Sequence, residues 1–129
     1  MQSPRIPTDF SHSTQIRLKI GPDIAIGPGK ADVLEAIALT GSLAETGRRL
    51  GMSYQRVWSL VGVMNRCFVE PLVLTQRGGA AGGGAVLTPS GRRVLALYRR
   101  IEKDAQRTVA VRLPQLVALL RSDGDLPAT

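Results

Sequence analysis

The pattern of hydrophobic and polar positions begins with a strict alternation in the segment QIRLKI. Its apolar positions are Ile16, Leu18 and Ile20, and polar residues separate them. Because successive side chains of a strand point to opposite faces, this spacing predicts a half-buried strand. The segment GPDIAIGPG follows, in which turn residues surround a second short apolar alternation and end the strand.

From Lys30 the hydrophobic spacing becomes helical, and it predicts three helices with short breaks between them. Gly41 is placed to end the first helix and Gly51 the second. Ser42 and Glu45 form a capping box at the start of the second helix, in which each side chain is expected to bind the other residue's backbone N–H. Ser53 can cap the third helix, whose apolar stripe consists of Val57, Leu60, Val61, Met64 and Phe68.

After Pro71, two short apolar segments flank a glycine-rich loop. The segments LVLT and AVLT are typical of strands, so the pair predicts a β-hairpin. Thr88 and Pro89 then form a strong helix start, because an N-cap residue precedes a proline at the first helical position. The last helix is long, and Pro114 is expected to end or kink it. This order predicts a mainly α fold with a small β-hairpin (α+β), of the winged helix-turn-helix type.

The segment LAETGRRLGMSYQRVWSLV carries the residues that a helix-turn-helix needs. Two helices that cross steeply need a small residue at their contact, a tight turn and apolar anchors on the second helix. Gly47 is the small residue, Gly51 can adopt a positive φ, and Val57 and Leu60 are the anchors. An ordinary helical hairpin is the alternative, but it would account for only some of these positions.

If this motif is present, the outer face of its second helix should contact DNA. Gln55 suits a bidentate contact with adenine and Arg56 one with guanine, whereas Trp58 is expected to be a partly buried flank of the helix. Gly62 also faces outward and would permit close approach to the duplex. The predicted recognition-helix residues are Ser53, Tyr54, Gln55, Arg56 and Ser59, and the predicted phosphate contacts are Arg48, Arg49 and Arg66.

Composition and charge narrow the class of protein. The 129 residues fit one domain, and 17 Lys and Arg against 10 Asp and Glu give a net charge of +7, which favours a polyanionic partner. Cys67 and His12 are single, which excludes an internal disulfide, a Cys/His zinc site and Cys-His or Ser-His catalysis. We therefore expect a protein that is not an enzyme and has no metal or cofactor. Without a long apolar run or a signal peptide, it is expected to be cytoplasmic, with no membrane partner.

The glycine-rich loop between Thr75 and Ala85 could bind a phosphate or merely turn the chain. A P-loop needs Lys and then Ser or Thr after its last glycine, and a dinucleotide fingerprint needs a helix there. Here an apolar strand follows the glycines, so neither motif is present. The loop is instead expected to be a wing that contacts the minor groove or the phosphates. The wing residues are Arg77, Gly78, Gly79, Gly82, Gly83 and Gly84.

Two runs, GSLAETGRRLGMSYQRVWSLVGVMNRCF and EPLVLTQRGGAAGGGAVLTPSGRRVLALYRRI, resemble the N-terminal DNA-binding domain of ModE-type molybdate-responsive transcriptional regulators. That domain is itself similar to the DNA-binding domain of LysR-type regulators. The resemblance implies a winged helix that dimerises and binds a palindromic operator. It places Ser53, Tyr54, Gln55, Arg56 and Ser59 at recognition-helix positions, and Arg77 with the glycines of the loop in the wing.

This chain departs from the family pattern at two places. The family's wing has Lys-Gly where this chain has Ala80-Ala81, which would remove a phosphate contact. Full-length members continue into a molybdate-binding region of small β-barrel domains, whereas this chain stops at Thr129. We therefore expect either a stand-alone DNA-binding relative or one whose sensor is a separate protein.

A stripe on the long C-terminal helix predicts dimerisation. Its residues repeat at spacings of four and three, which suits a seam between two copies of one helix: Val94, Tyr98, Ile101, Ala105 and Thr108. Packing of this stripe on its own domain is the alternative. A dimer would hold two recognition helices about 34 Å apart, and it predicts an inverted-repeat site.

The predicted function is that of a sequence-specific double-stranded DNA-binding transcriptional regulator that binds as a homodimer. Two alternatives stay open: a winged-helix protein-interaction module without specific DNA binding, and a cytoplasmic oxyanion (molybdate) binding protein that uses the glycine loop. The predicted divisions are a flexible leader (1–14), the winged helix-turn-helix domain (15–88), a C-terminal helical dimerisation segment (89–121) and a frayed tail (122–129).

Overall fold

A computed structural model describes residues 13–22, 24–76 and 84–120 of the chain. In these residues, four α-helices accompany two antiparallel two-stranded sheets. The mainly helical α+β class predicted from the sequence is confirmed. The predicted tail and nearly all of the predicted leader lie outside the described residues. The elements are β1 (Leu18–Ile20), β2 (Ile24–Ile26), α1 (Pro28–Thr40), α2 (Leu43–Leu50), α3 (Tyr54–Cys67), β3 (Val73–Gln76), β4 (Gly84–Leu87) and α4 (Pro89–Val117).

The main core lies where the first three helices meet the hairpin of β3 and β4. Leu60 and Phe68 pack half-buried at its edge. Burial of each large apolar side chain contributes about 1.5–3 kcal/mol, so this stripe fixes which face of α3 points outward. The fully or nearly fully buried side chains are Val33, Leu34 and Ile37 from α1 and Val57, Val61 and Met64 from α3.

Glycines end both α1 and α2, as the sequence predicts. Gly41 and Gly51 have φ angles of 69° and 68°, a left-handed conformation that other residues adopt only at a cost of about 1–2 kcal/mol. The capping box of α2 is only half formed. Ser42 Oγ accepts from the Glu45 N–H at 3.1 Å, but the Ser42 N–H donates to Thr40 Oγ1 at 3.3 Å. The reciprocal bond predicted for the Glu45 carboxylate is therefore wrong, because a hydroxyl two residues earlier occupies its donor.

The N-terminal alternation forms a shorter strand than predicted and pairs with a second strand. β1 and β2 are antiparallel, with Leu18 opposite Ile26. Leu18 is half-buried, but Ile20 is 58% exposed, so its predicted place on a buried face is wrong. Ile20 lies beside the turn at Gly21, whereas Leu18 and Ile26 pack with Tyr98 of α4.

α4 is a continuous helix of 29 residues that begins as predicted. Thr88 Oγ1 accepts from the Gly91 N–H at 2.9 Å, and Pro89 occupies the first turn. The helix passes through Pro114 and ends at Val117, so the predicted end or kink at Pro114 is wrong. Pro114 is exposed and close to the end of the helix, where one missing N–H is tolerated.

The first half of the predicted dimer stripe on α4 packs on its own chain. Tyr98 is 2% exposed, and its hydroxyl donates to the Ile16 carbonyl at 2.6 Å. Val94 is half-buried against the core. The predicted seam is therefore corrected at these two positions, because the sheet of β1 and β2 supplies the surface they cover. Ile101 is 41% exposed, Thr108 is exposed and Ala105 half-buried, and dimerisation through these three stays a prediction.

We expect Tyr98→Phe to lower the free energy of unfolding by about 1 kcal/mol, because the Ile16 carbonyl loses its donor. Burial raises the pKa of Tyr98 above its ordinary 10.0, and the Glu102 carboxylate adds to this. The phenol therefore contributes stability that is fully present below pH 10.0 and is lost as the pH rises through the raised pKa. Urea unfolding across the alkaline range should show a steeper loss for the wild type than for Tyr98→Phe. An identical alkaline loss in both would contradict the buried hydroxyl.

Candidate nucleic-acid interface

A tight turn of residues 51–53 joins α2 to α3. Gly47 is buried where the two helices meet, and a Cβ there would lie 2.6 Å from the carbonyl oxygen of Met52. The Met52 N–H in turn donates to the Gly47 carbonyl at 2.8 Å. The absence of a side chain at Gly47 and the left-handed φ of Gly51 thus allow this close arrangement, as predicted.

α3 begins at this turn with Ser53 as its cap. Ser53 Oγ accepts from the Arg56 N–H at 3.1 Å, which leaves its own hydrogen available for donation. Because the opposite side of α3 is buried, these groups are held toward solvent. The five predicted recognition residues are all exposed at the start of this helix: Ser53, Tyr54, Gln55, Arg56 and Ser59.

Two aromatic rings border this face. Trp58 is 59% exposed and Tyr54 is 54% exposed, so the expectation that Trp58 is partly buried is wrong. The two residues are four positions apart on α3, and they line a shallow depression together with Gln55. An amide between two amphipathic rings can contact both the polar and the apolar edges of a base pair.

Three cations predicted to contact phosphate surround the same face. Arg48 and Arg49 lie in the last turn of α2 and Arg66 in the last turn of α3, and all are exposed. Arg48 pairs with Glu45, and this hydrogen bond lowers the pKa of Glu45 and raises that of Arg48. Arg49 and Arg66 form no ion pair with another described residue. Because the Arg48 pair is exposed, a phosphate could displace Glu45 at little cost.

The hairpin of β3 and β4 lies beside this helix, as predicted. Its strands are antiparallel, with Gln76 opposite Gly84 at the described end. Gly84 is therefore the first residue of β4. The other predicted wing contacts lie outside the described residues: Arg77, Gly78, Gly79, Gly82 and Gly83.

Asn65 holds the hairpin against α3, a role that sequence reasoning missed. Its Oδ1 accepts from the N–H groups of Leu72 and Val73 at 2.8 and 3.1 Å, and its Nδ2 donates to the Val73 carbonyl at 3.0 Å. The other strand is held by the Ala85 N–H, which donates to the Gly41 carbonyl at 2.9 Å. The available signal was a single polar residue beside the buried Met64, near the end of an amphipathic helix.

Comparisons with known proteins give three informative relatives, although no family model matches the sequence. The molybdenum-pterin-binding protein MopB of Rhodobacter capsulatus is 43% identical over 85 residues, 66% of this chain and 32% of that protein. The molybdenum transport protein ModE of Azotobacter vinelandii is 35% identical over 98 residues, 73% and 36% of the two chains. The DNA-binding transcriptional dual regulator ModE of Escherichia coli K12 is 33% identical over 96 residues, 74% and 37% of the two chains.

This chain is of the ModE type. The resemblance inferred from the helix and hairpin motifs is thereby confirmed. The ModE-type chain spans about a third of the length of these relatives. Their names are those of regulators and of molybdenum-binding or transport proteins, and not of enzymes.

The ModE-type chain was also searched for metal sites and membrane spans. Across residues 13–22, 24–76 and 84–120, no group of three His, Cys, Asp or Glu is placed to hold a metal ion. No helix in that part of the chain is long and apolar enough to cross a membrane. Cys67 is a half-buried free thiol at the end of α3.

Proposed function

We propose that this ModE-type chain is a sequence-specific double-stranded DNA-binding transcriptional regulator with a winged helix-turn-helix. The observation that carries the proposal is the exposed face of α3 described above, which is fixed outward by the buried Val57, Val61 and Met64. The turn at Gly47 and Gly51 sets α2 across the start of that helix. A net charge of +7 and relatives named as transcriptional regulators support the same function.

The proposed contacts fall into two classes. Gln55 and Arg56 lie in the first turn of α3, where side chains of a DNA-reading helix reach base edges in the major groove. A bidentate contact by either one discriminates against the wrong base by about 1–3 kcal/mol. The cations around the face and the hairpin loop contact phosphates, which position the protein without specifying sequence. These are Arg48, Arg49, Arg66 and Arg77, with the loop glycines Gly78, Gly79, Gly82, Gly83 and Gly84.

The proposed regulator acts in the cytoplasm as a homodimer on a palindromic operator. The exposed part of the α4 stripe, Ile101, Ala105 and Thr108, is the proposed contact between the two copies. Their α3 helices would then enter successive major grooves about 34 Å apart. The proposed domain is residues 15–88, followed by the dimerisation segment 89–121. Control related to molybdenum, as the relatives' names suggest, would come through a separate sensor.

Selection from a randomised duplex pool tests the proposal. The purified chain is expected to enrich an inverted repeat and to keep its preference for it over the random pool as the salt concentration rises. Affinity without enrichment that collapses with salt, as counterion release alone dictates, would contradict it. In that case, the alternative of a winged-helix protein-interaction module would gain support.

Gln55→Ala and Arg56→Ala are each expected to relax specificity at one base pair of the half-site, by about 5- to 150-fold, the equivalent of 1–3 kcal/mol. Arg49→Ala should instead weaken binding to all sequences by a similar factor and lower the salt slope by about 0.9. All three side chains are exposed, so thermal melts should be nearly unchanged. Equal losses on every sequence for all three variants would contradict a base-reading role for α3.

A further inference from the structure

A basic groove lies behind the outer face of α3. It has a volume of about 320 Å³, and β1's leading residue, the first turn of α1 and one flank of α3 line it. Three of the lining residues are cations, Arg17, Lys30 and Arg56, and none of the described lining residues carries a carboxylate. Such a concentration of one sign of charge in a concave surface attracts an anion.

Arg56 joins this groove to the proposed DNA interface. It lies in the first turn of α3 as one of the predicted base-reading residues, and it also lines the groove. A DNA strand whose bases meet α3 therefore has its backbone beside Arg56, on the way to Arg17 and Lys30. The groove is larger than a phosphodiester group, so the adjoining sugars can be accommodated as well.

The fold holds Arg17 at this place. An added Cβ at Gly27 would lie 3.5 Å from Arg17 Cγ, so the aliphatic stem of Arg17 packs against the backbone that enters α1. Arg17 is nevertheless exposed, and the pairing of β1 with β2 fixes the chain on either side of it. A stem that is already packed loses less side-chain entropy when the guanidinium binds.

We propose that this groove binds a DNA backbone phosphate through Arg17 and Lys30, outside the contacts made by α3 and the hairpin. This inference rests on the proposed function, and it extends the footprint of each protomer beyond the predicted residues. The occupant is a phosphodiester of the bound duplex rather than a free inorganic anion. Its contact would add affinity for every sequence, since phosphates carry no sequence information.

Neutral phosphates locate the contact. Methylphosphonate is placed at single positions of the duplex selected by the wild type, and binding is compared for the wild type, Arg17→Gln and Arg112→Gln. Arg112 is a matched control, because it is exposed on α4 and forms no ion pair with another described residue. We expect one position at which the neutral group weakens the wild type and Arg112→Gln several-fold but leaves Arg17→Gln unaffected. The salt slope of Arg17→Gln should also be lower by about 0.9.

A second variant adds charge to the groove without disturbing the fold. A Cβ at Gly29 would meet no atom within 4 Å, and a carboxylate is favourable in the first turn of a helix. Gly29→Glu should therefore melt at or above the temperature of the isosteric Gly29→Gln, yet bind the duplex several-fold more weakly. Gln106→Glu, at an exposed position of α4, measures the general cost of one added negative charge.

The outcomes separate the two proposals. If the wild type enriches an operator but Arg17→Gln loses no more than Arg112→Gln, the groove contact is overturned and the proposed function stands. The same holds if Gly29→Glu binds no more weakly than Gln106→Glu, or if inorganic phosphate binds in the groove while no methylphosphonate position depends on Arg17. If the wild type shows no specific duplex binding, both proposals fall.

Discussion

Replacing Gly91 with alanine is expected to lower the free energy of unfolding by about 3 kcal/mol or more. A Cβ at residue 91 would overlap the carbonyl oxygen of Leu72 and lie 3.0 Å from its carbonyl carbon. Neither backbone can move aside cheaply, because the Thr88 N–H donates to that same oxygen at 2.9 Å and the Thr88 hydroxyl donates to the Pro71 carbonyl at 2.7 Å. The start of α4 would be forced away from β3. Urea unfolding at neutral pH measures the loss.

Gly62→Ala is the matched control for this substitution. Gly62 is also a helical glycine, but a Cβ there would meet only the end of the flexible Arg66 side chain, at 3.4 Å. It should raise the free energy of unfolding by up to about 1 kcal/mol, because alanine favours the helix. If Gly91→Ala were as stable as Gly62→Ala, the close contact between α4 and Leu72 would be wrong.

Asn65→Ala is expected to lower the free energy of unfolding by about 2–4 kcal/mol. The substitution removes three hydrogen bonds and leaves two N–H groups and a carbonyl at the start of β3 without their partner. It also releases the hairpin from α3, so DNA binding should weaken beyond what partial unfolding explains. Urea unfolding and duplex titration on the same samples measure the two effects.

Gln55→Ala provides the control on the same helix. Gln55 also ends in an amide, but it is exposed, so its removal should change the free energy of unfolding by less than about 0.5 kcal/mol. The two amides thus have opposite expected profiles: Asn65 supports the fold, and Gln55 reads DNA. A stable Asn65→Ala variant would show that the hairpin is held by other contacts.

The features predicted correctly from the sequence depend on a few neighbouring residues. Gly41, Gly51, Ser53 and Thr88 mark helix ends, because their own backbone angles or side chains decide the cap. The outward face of α3 follows equally directly from the spacing of its buried residues. The Glu45 carboxylate shows the limit even of local patterns, because it had a choice of partners and bound Arg48 instead of the Ser42 N–H.

The features that were missed depend on parts of the chain that are far apart in sequence. Tyr98 and Ile16 are 82 positions apart, and a heptad-like spacing does not tell whether a stripe meets its own chain or a second one. Asn65 and Arg17 have the same character. Their importance comes from the backbone of β3 and from the flank of α3, respectively, which only the folded chain brings to them.

The two attachments of the hairpin have a consequence for the choice of operator. β3 is tied to α3 through Asn65, and β4 is tied to the junction of α1 and α2 through Gly41, so the hairpin cannot adjust its distance from α3. Under the proposed function, a rigid protein leaves the adjustment to the duplex. Bending or groove narrowing costs less at flexible base steps, so the operator should show sequence preferences even where no side chain touches a base.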